Sequence, residues 1–290
     1  MIEKLYIDSK DRNIFENSNN FTINLPSNRA LKDVQSVFVD SMIFPNTLFP
    51  INENSNTLYC NMRRYSTLND IEYENQYFQA VIPAGSYNPD ELIAILPTLI
   101  HNAYNDAFPS NPTLAGLEMS YSSTTGLFSF LRTLAYGNAQ IISGLRDYLI
   151  FEDKFGNFPK SFFDSLNFVI GHDSNNAYDI SKIPTPGFSL PMTSTAQPRL
   201  SGENYLYLHS DMVSSSESST GDSSNQDILY KINLYNAFGD IGYYTTGHSN
   251  SYVSVNSNNI SSMRFYLTNS RDEPVSINGG EYSFILGINY

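Results

Sequence analysis

The residues that could carry out acid–base or nucleophilic chemistry are few and scattered in this 290-residue sequence. The four histidines lie far apart, at His101, His172, His209 and His248. A Ser/His/Asp set could be assembled from His172, Asp173 and a serine, but serine is so abundant that such a set carries little information. We interpret His172 as a loop residue after a strand, and His209 as the polar end of a strand. The sequence contains no P-loop, GxGxxG, HExxH or GxSxG motif.

Carboxylates and amides form two further groups that could do chemistry. Four carboxylates lie near one another in the sequence, at Glu53, Asp70, Glu72 and Glu74. They could serve acid–base catalysis, but a solvated acidic loop explains them better. Asn52, Asn54 and Asn56 have the alternate spacing of a calcium loop. They lack its carboxylates and its glycine, so we expect a polar turn.

The remaining candidate residues also favour structural roles. Cys60 is the single cysteine and lies within a predicted strand, where we expect a small buried hydrophobe. The pair Arg63-Arg64 beside Tyr65 is a weak pointer to nucleic acid. Against it, 16 basic and 29 acidic residues give a formal charge of −13, so we expect no direct nucleic-acid binding. We predict no catalytic residue, no cofactor and no metal site, and therefore a protein that is not an enzyme.

The composition is typical of short strands joined by polar turns. Hydrophobic residues make up 41% and aromatic residues 14% of the chain, but charged residues only 16%. Asn and Ser are the most abundant residue types, as in proteins rich in turns. The chain has no apolar stretch of about 20 residues, and its N-terminus is charged, so we predict neither a membrane span nor a secretory signal. We expect synthesis in the cytoplasm.

Alternating apolar and polar residues predict about eight strands outside the middle of the chain. They cover residues 20–25, 34–43, 57–62, 166–170, 205–209, 228–234, 262–267 and 282–288. Residues 182–200 contain four prolines and should run extended. Residues 214–226 have almost no apolar side chain and should form an exposed loop.

The middle of the chain differs, because it contains the one convincing helix start. Asn88 can cap a helix, Pro89 suits its first position and Glu91 completes a capping box. Pro97 should kink this helix or split it. A strand before the helix and a hairpin after it, with a turn near Gly126, complete a strand–helix–hairpin unit over residues 74–135.

Eight strands with long connections suit an all-β fold, a single antiparallel jelly-roll β-sandwich. We predict one domain over residues 1–290, with the unit at 74–135 as an insertion. The segment 1–19 has little core-forming pattern, so we predict an N-terminal arm that reaches a neighbouring subunit.

Several segments, in this order, resemble a known family. They read YIDSKDRN, FTINLPSN, VQSVFVDSMIFPNT, INENSNTLY, VIPAGSYNPDELIAIL, SGENYLYLHSDMV, DILYKINL and MRFYLTNSRDEPVSINGGEYSFILGIN. Their order and spacing are similar to those of the minor capsid, or penton, proteins of virophages and Polinton (Maverick)-type elements, the Mavirus group in particular. The resemblance spans nearly the whole chain.

The resemblance implies a structural role in a virion. It implies a jelly-roll subunit that forms a homopentamer at the fivefold vertices of an icosahedral capsid, beside trimers of a double jelly-roll major capsid protein. The family pattern names no catalytic residues, so none are expected here.

Two other functions stay open from the residues alone. A β-sandwich that binds a carbohydrate or host receptor, as part of an attachment fibre, would use exposed Tyr, Asn and Asp, although the chain has no Trp. The pair Tyr243-Tyr244 suits either sheet packing or an interface. The second of these functions is that of a hydrolase that uses the scattered carboxylates.

Overall fold

The chain folds into two compact units, each with its own core. The computed structural model describes residues 1–66, 72–109, 117–132, 145–150, 165–172, 177–179, 192–213, 227–246 and 252–290. The first unit combines residues 1–48 with 203–290, and the second comprises residues 49–202. The second unit is therefore inserted in the sequence of the first.

Strands dominate the described residues. In chain order the elements are β1 (Ile2–Asp8), β2 (Asn20–Asn24), β3 (Ser36–Pro45), β4 (Thr57–Ser66), β5 (Glu72–Val81), α1 (Pro89–Ala107), β6 (Leu117–Ser122), β7 (Leu127–Arg132), β8 (Leu145–Ile150), α2 (Leu166–Val169), β9 (Ala177–Asp179), β10 (Met192–Thr193), β11 (Tyr205–Ser210), β12 (Ile228–Asn233), β13 (Ile241–Thr245), β14 (Val253–Ser254), β15 (Ser262–Thr268) and β16 (Ser283–Asn289). Short 3-10 helices cover Ser9–Asp11 and Ser27–Arg29.

The first unit is a sandwich of two antiparallel sheets. Sheet A has the strand order β1-β16-β3-β13, with β14 also paired to β3, and sheet B has the order β12-β11-β15-β2. Apart from the short β14, successive strands of this unit alternate between the two sheets, except for the neighbours β11 and β12. This connectivity is that of a jelly roll, and it confirms the predicted fold class.

Aromatic side chains join the two sheets across the core. Phe21 and Phe265 of sheet B are fully buried. The Phe21 ring lies 5.9 Å from the ring of Tyr282, and the Phe265 ring lies 5.1 Å from that of Phe284, both in edge-on geometry. Phe44 of sheet A contacts Tyr282 at 5.5 Å. Edge-on pairs at these distances add to the stabilisation from apolar burial.

The second unit combines two sheets and a helix around a separate core. One sheet has the order β5-β4-β8-β9 and the other the order β10-β7-β6. Helix α1 packs against β5 and β6, and its buried face contributes Leu92, Leu96, Ile100 and Tyr104. The helical spacing of these residues explains why one face of α1 is apolar.

The predicted helix start is confirmed. The side chain of Asn88 accepts a hydrogen bond from the Glu91 backbone N–H at 2.9 Å, and the Glu91 carboxylate accepts one from the Asn88 N–H at 2.8 Å. The helix runs unbroken from Pro89 to Ala107, so Pro97 lies inside it without splitting it. The predicted hairpin of β6 and β7 is also present.

The strand assignment was right for six of the eight predicted sandwich strands, which are β2, β3, β11, β12, β15 and β16. Residues 57–62 do form a strand, β4, but it belongs to the second unit. Residues 166–170 were wrongly predicted as a strand and form the short helix α2, because Ser165 caps the Phe168 N–H. The sandwich strands absent from the prediction are β1, β13 and the two-residue β14. Charged residues in β1 and a glycine in β13 obscure the alternation.

The insertion at 74–135 and the arm at 1–19 stay predictions, and the structure describes elements within both segments. The segment 74–135 lies within the longer second unit, 49–202. Within the segment 1–19, residues Ile2–Asp8 form β1, which pairs with β16 along its whole length. The loop at 214–226 and residues 182–191 of the proline-rich segment lie outside the described residues.

A buried asparagine explains how α2 docks on β4. Strand β4 pairs with β8 only from Asn61 onward. Earlier in the strand, the Asn167 side chain takes the place of a neighbouring strand. Its amide oxygen accepts a hydrogen bond from the Tyr59 N–H, and its amide nitrogen donates one to the Tyr59 carbonyl, both at 2.8 Å. Asn167 is fully buried, so these backbone groups depend on it.

We predict that Asn167→Ala destabilises the second unit by about 2–4 kcal/mol, since it leaves two buried backbone groups without their partner. Hydrogen exchange should show loss of protection at the Tyr59 amide. The exposed Asn102→Ala, in the same unit, is the matched control and should change little. Unchanged protection at Tyr59 in Asn167→Ala would contradict this account of docking.

Candidate functional site

The residues that could do chemistry are placed apart from one another. His101 lies on α1, beside Asn105. His172 follows α2 rather than a strand, and burial lowers its pKa to about 3, so its ring is neutral. Cys60 is buried in β4 as predicted, and burial raises its pKa, which makes it a poor nucleophile. His248 lies outside the described residues, as does Asp173, the partner considered for His172.

The carboxylate and amide candidates do not form a described site. Glu53 is exposed in the turn after Asn52, whose side chain accepts hydrogen bonds from the backbone of Asn54 and Ser55. The predicted polar turn is therefore confirmed. Glu72 and Glu74 lie on β5, and Asp70 lies outside the described residues. Arg63, Arg64 and Tyr65 lie on β4.

A buried polar cluster surrounds His209, on the outer face of sheet B. His209 is fully buried. Its Nδ1 lies 2.9 Å from Oδ1 of Asp227, and its Nε2 lies 2.8 Å from Oγ1 of Thr268. Its ring stacks on Tyr266 at 4.6 Å, and Oδ1 of Asp272 lies 3.6 Å from Nε2.

Asp227 is the charged centre of this cluster. Partial burial by itself raises the pKa of Asp227, but hydrogen bonds from His209 and Tyr266 outweigh it, so the pKa is lowered overall. Burial and the Asp227 carboxylate raise the pKa of Tyr266, which therefore stays protonated and donates its hydroxyl to Asp227. The cluster thus links β11, β15 and the residue that precedes β12.

Thr268, His209 and Asp227 form a hydroxyl–imidazole–carboxylate line, the arrangement of a nucleophilic triad. Thr268 is only 2% exposed and His209 is not exposed at all. A substrate carbonyl therefore cannot reach the hydroxyl, and we interpret the line as a structural network. Among the described residues, no group of three or more His, Cys, Asp or Glu side chains is placed to hold a metal ion.

The other aromatic rings on this face of sheet B are engaged within the chain. The ammonium of Lys231 lies 3.9 Å from the centre of the Tyr205 ring, and Tyr205 packs edge-on against Tyr207 at 5.5 Å. The guanidinium of Arg264 lies 5.2 Å from the Tyr266 ring. Cations over aromatic faces are attracted by the ring electrons, so these contacts fix the positions of the aromatic side chains on the outer face of sheet B.

The outer face of sheet A is different, because it presents apolar side chains to solvent. Tyr6 of β1 is 72% exposed, Ile43 of β3 44%, and Ile241 and Tyr243 of β13 53% and 76%. Ile43 and Tyr243 are paired across neighbouring strands. Tyr244, which points the other way, is buried in the sandwich core. Tyr244 thus has the predicted packing role, whereas the interface role of Tyr243 stays a prediction.

A glycine on sheet A leaves room for an aromatic ring to pack on the outer face. Phe38 of β3 points outward, yet it is only 2% exposed. It lies over Gly287 of β16, where an added Cβ would come within 2.3 Å of the Phe38 ring. Tyr252 packs edge-on against Phe38 at 5.0 Å. Aromatic side chains thus cover the outer face of sheet A around Phe38, whereas the outer face around Tyr6 is exposed to solvent.

A groove of about 380 Å³ lies on the open part of sheet A. Tyr6, Ile285 and Ile43 form its apolar sides, and Ser41 and Ser283 lie between them. The groove exists because two small serines occupy outward positions that the neighbouring strands fill with larger side chains. Sequence reasoning missed it, since it depends on the register of three strands that are distant in the sequence.

We predict that Asp227→Asn lowers the free energy of unfolding at neutral pH by about 1–3 kcal/mol, because it removes the charged partner of buried His209. The pKa of Asp227 is lowered in the folded state. Its carboxylate therefore stabilises the fold above the unfolded value near 4, and this contribution is lost as the pH falls through the folded-state pKa.

Urea unfolding at several pH values measures this effect. The wild type should lose stability below about pH 4, and Asp227→Asn should show a shallower loss in that range. The exposed Asp240→Asn is the control and should follow the wild type. Equal pH profiles for wild type and Asp227→Asn would contradict the role of this carboxylate.

Comparison with solved structures shows similarity in fold. No protein-family model matches the chain, and no curated protein matches it by sequence. The chain is similar to the crystal structure of the mavirus penton protein, with a TM-score of 0.53 and 10% identity over 99% of this chain and 98% of that chain. A chain in the cryo-EM structure of the Sputnik virophage has a TM-score of 0.47 and 15% identity, covering 98% of this chain and 97% of its own. The chain therefore has the fold of the mavirus penton protein, as the sequence resemblance implied.

Proposed function

We propose that this chain is a structural capsid protein, a penton subunit of the vertices of an icosahedral capsid. It forms a homopentamer there and contacts trimers of a double jelly-roll major capsid protein. Its place is in the virion, after synthesis in the cytoplasm of a host cell. The observation that carries the proposal is the jelly-roll fold, shared along nearly the whole chain with the mavirus penton protein.

The distribution of polar and apolar groups supports a structural role. The precise polar geometry around His209 is buried and holds strands together. Sheet A, in contrast, exposes large apolar side chains, as surfaces do that contact other proteins. Among the described residues, no helix is long and apolar enough to cross a membrane.

The N-terminal segment 1–19 divides into a strand that belongs to its own subunit and a following stretch that exposes apolar side chains. Strand β1 completes its own subunit's sheet A, so its deletion would remove an edge strand of the sandwich. Residues 9–19 follow it and carry two exposed apolar side chains, Ile14 and Phe15. We therefore narrow the predicted arm to residues 9–19 as the portion that reaches a neighbouring subunit.

Co-expression with a candidate double jelly-roll major capsid protein from the same genome tests the proposal. We expect closed particles in which cryo-EM shows this chain as fivefold density at the vertices. Sedimentation of the purified chain should give a concentration-dependent pentamer, because a fivefold ring closes on one repeated contact.

Particles whose vertices are closed by another protein, with this chain left in the soluble fraction, would contradict the proposal. A trimer in solution, or a monomer that binds glycans on an array, would instead support the receptor-binding alternative. Core-disrupted Phe265→Asp is a negative control, since an unfolded chain should join neither particle nor ring.

A further inference from the structure

A turn near the N-terminus exposes two adjacent apolar side chains almost completely. Ile14 is 88% exposed and Phe15 is 90% exposed. They occupy the two central positions of a tight turn in which the Glu16 N–H donates to the Asn13 carbonyl at 2.9 Å. Central turn positions usually hold Gly, Pro, Asn, Asp or Ser. Ile and Phe at these positions are therefore unfavourable for an isolated, solvated chain.

The turn is held rigidly by its neighbours. The Arg12 guanidinium donates to the carbonyls of Ser9 and Glu16, at 2.6 and 3.0 Å, and to the Glu281 carboxylate at 2.7 Å. The Glu16 carboxylate accepts hydrogen bonds from the N–H groups of Asn13 and Thr22, at 3.2 and 3.3 Å. Apolar side chains on such a preorganised support lose little conformational entropy when they bind.

We propose that the Ile14-Phe15 turn of one copy of this chain inserts into the sheet A groove, around Tyr6 and Ile43, of a second copy. A cavity of about 150 Å³ accommodates a benzene molecule, so a groove of about 380 Å³ has room for the Phe15 ring together with Ile14. Tyr6, Ile43 and Ile285 supply apolar surface in the groove, which matches the two apolar inserted side chains. Within one copy the turn does not fill the groove, because both side chains are almost fully exposed.

The turn and the groove lie on the same chain, so a second copy supplies the matching half of the contact. The chain carries a formal charge of −13, so apolar burial at this contact must offset the repulsion between two copies. At the turn, Arg12 is paired with Glu281 and the Glu16 carboxylate is occupied by backbone donors. Asp8 and Asp11 line one side of the groove, and the inserted residues bring no further carboxylate to them.

This inference rests on the proposed function in one respect, which is that copies of the chain associate with one another. A head-to-tail contact of this kind makes a ring if its rotation closes. If the contact is absent while the chain still occupies capsid vertices, the proposed function stands and only this assignment of the interface fails.

Photo-crosslinking locates the contact directly. The photoreactive residue p-benzoylphenylalanine, placed at position 15, retains an aromatic side chain and captures neighbouring C–H groups. Irradiation of a mixture of ¹⁵N-labelled and unlabelled chains should give crosslinked peptides of mixed label that join position 15 to residues 6, 41–43 or 283–285. Tyr235 is another exposed aromatic position, at 78%, and serves as the control site.

Crosslinks from position 15 only to its own chain, to other surfaces, or to none at the highest soluble concentration would overturn the proposal. So would crosslinks to the same groove residues from position 235, since the capture would then be non-specific.

Complementary variants test the pairing in solution. Phe15→Ser removes the inserted ring, and Ser41→Phe fills the groove. Each substitution should raise the dissociation constant of self-association, measured by sedimentation velocity, by about tenfold or more, as expected for a central interface residue. A mixture of the two variants keeps one intact turn and one intact groove, so it should form heterodimers and nothing larger. A mixture that associates no better than either variant alone would refute the pairing.

Discussion

The contact between the aromatic side chains of the two sheets is the interaction on which the rest of the sandwich depends. Phe21 and Phe265 of sheet B meet Phe284 of sheet A and Tyr282, the residue before β16, in the buried core. Phe21 lies near the start of the chain and the other three near its end, so this core forms only when the two chain ends come together. The second unit, 49–202, must therefore leave and return between β3 and β11.

Both sheets bury one face in the same way, but their outer faces differ, and the difference bears on function. On sheet B, the cluster around His209, Asp227 and Tyr266 satisfies its polar groups within the chain. On sheet A, Tyr6 and Tyr243 are exposed without such cover. Polar groups that form hydrogen bonds within the chain, as on sheet B, stabilise the subunit itself. Covering exposed apolar side chains, as on sheet A, with another protein lowers the free energy of the assembly.

Local signals in the sequence predicted local structure well. The capping residues Asn88 and Glu91 placed the start of α1, and the turn at Gly126 placed the hairpin of β6 and β7. Prediction failed where a short apolar run fits either a helix or a strand. Leu166–Val169 became helical because Ser165 caps it and because the buried Asn167 bonds to the backbone of Tyr59, a contact over 108 positions that no local pattern contains.

By itself, the sequence determined that this is an all-β chain with a jelly-roll pattern, because alternation and turn residues act over a few positions. It also indicated the resemblance to penton proteins, since the order of many weak motifs carries more information than any one. Only the tertiary structure decided that β4 belongs to a second unit and that β1 completes sheet A. It alone brought Thr268 and Asp227 to His209, and opened a groove beside Tyr6. These features depend on register between distant strands, and a shift of one residue would turn every outward side chain inward.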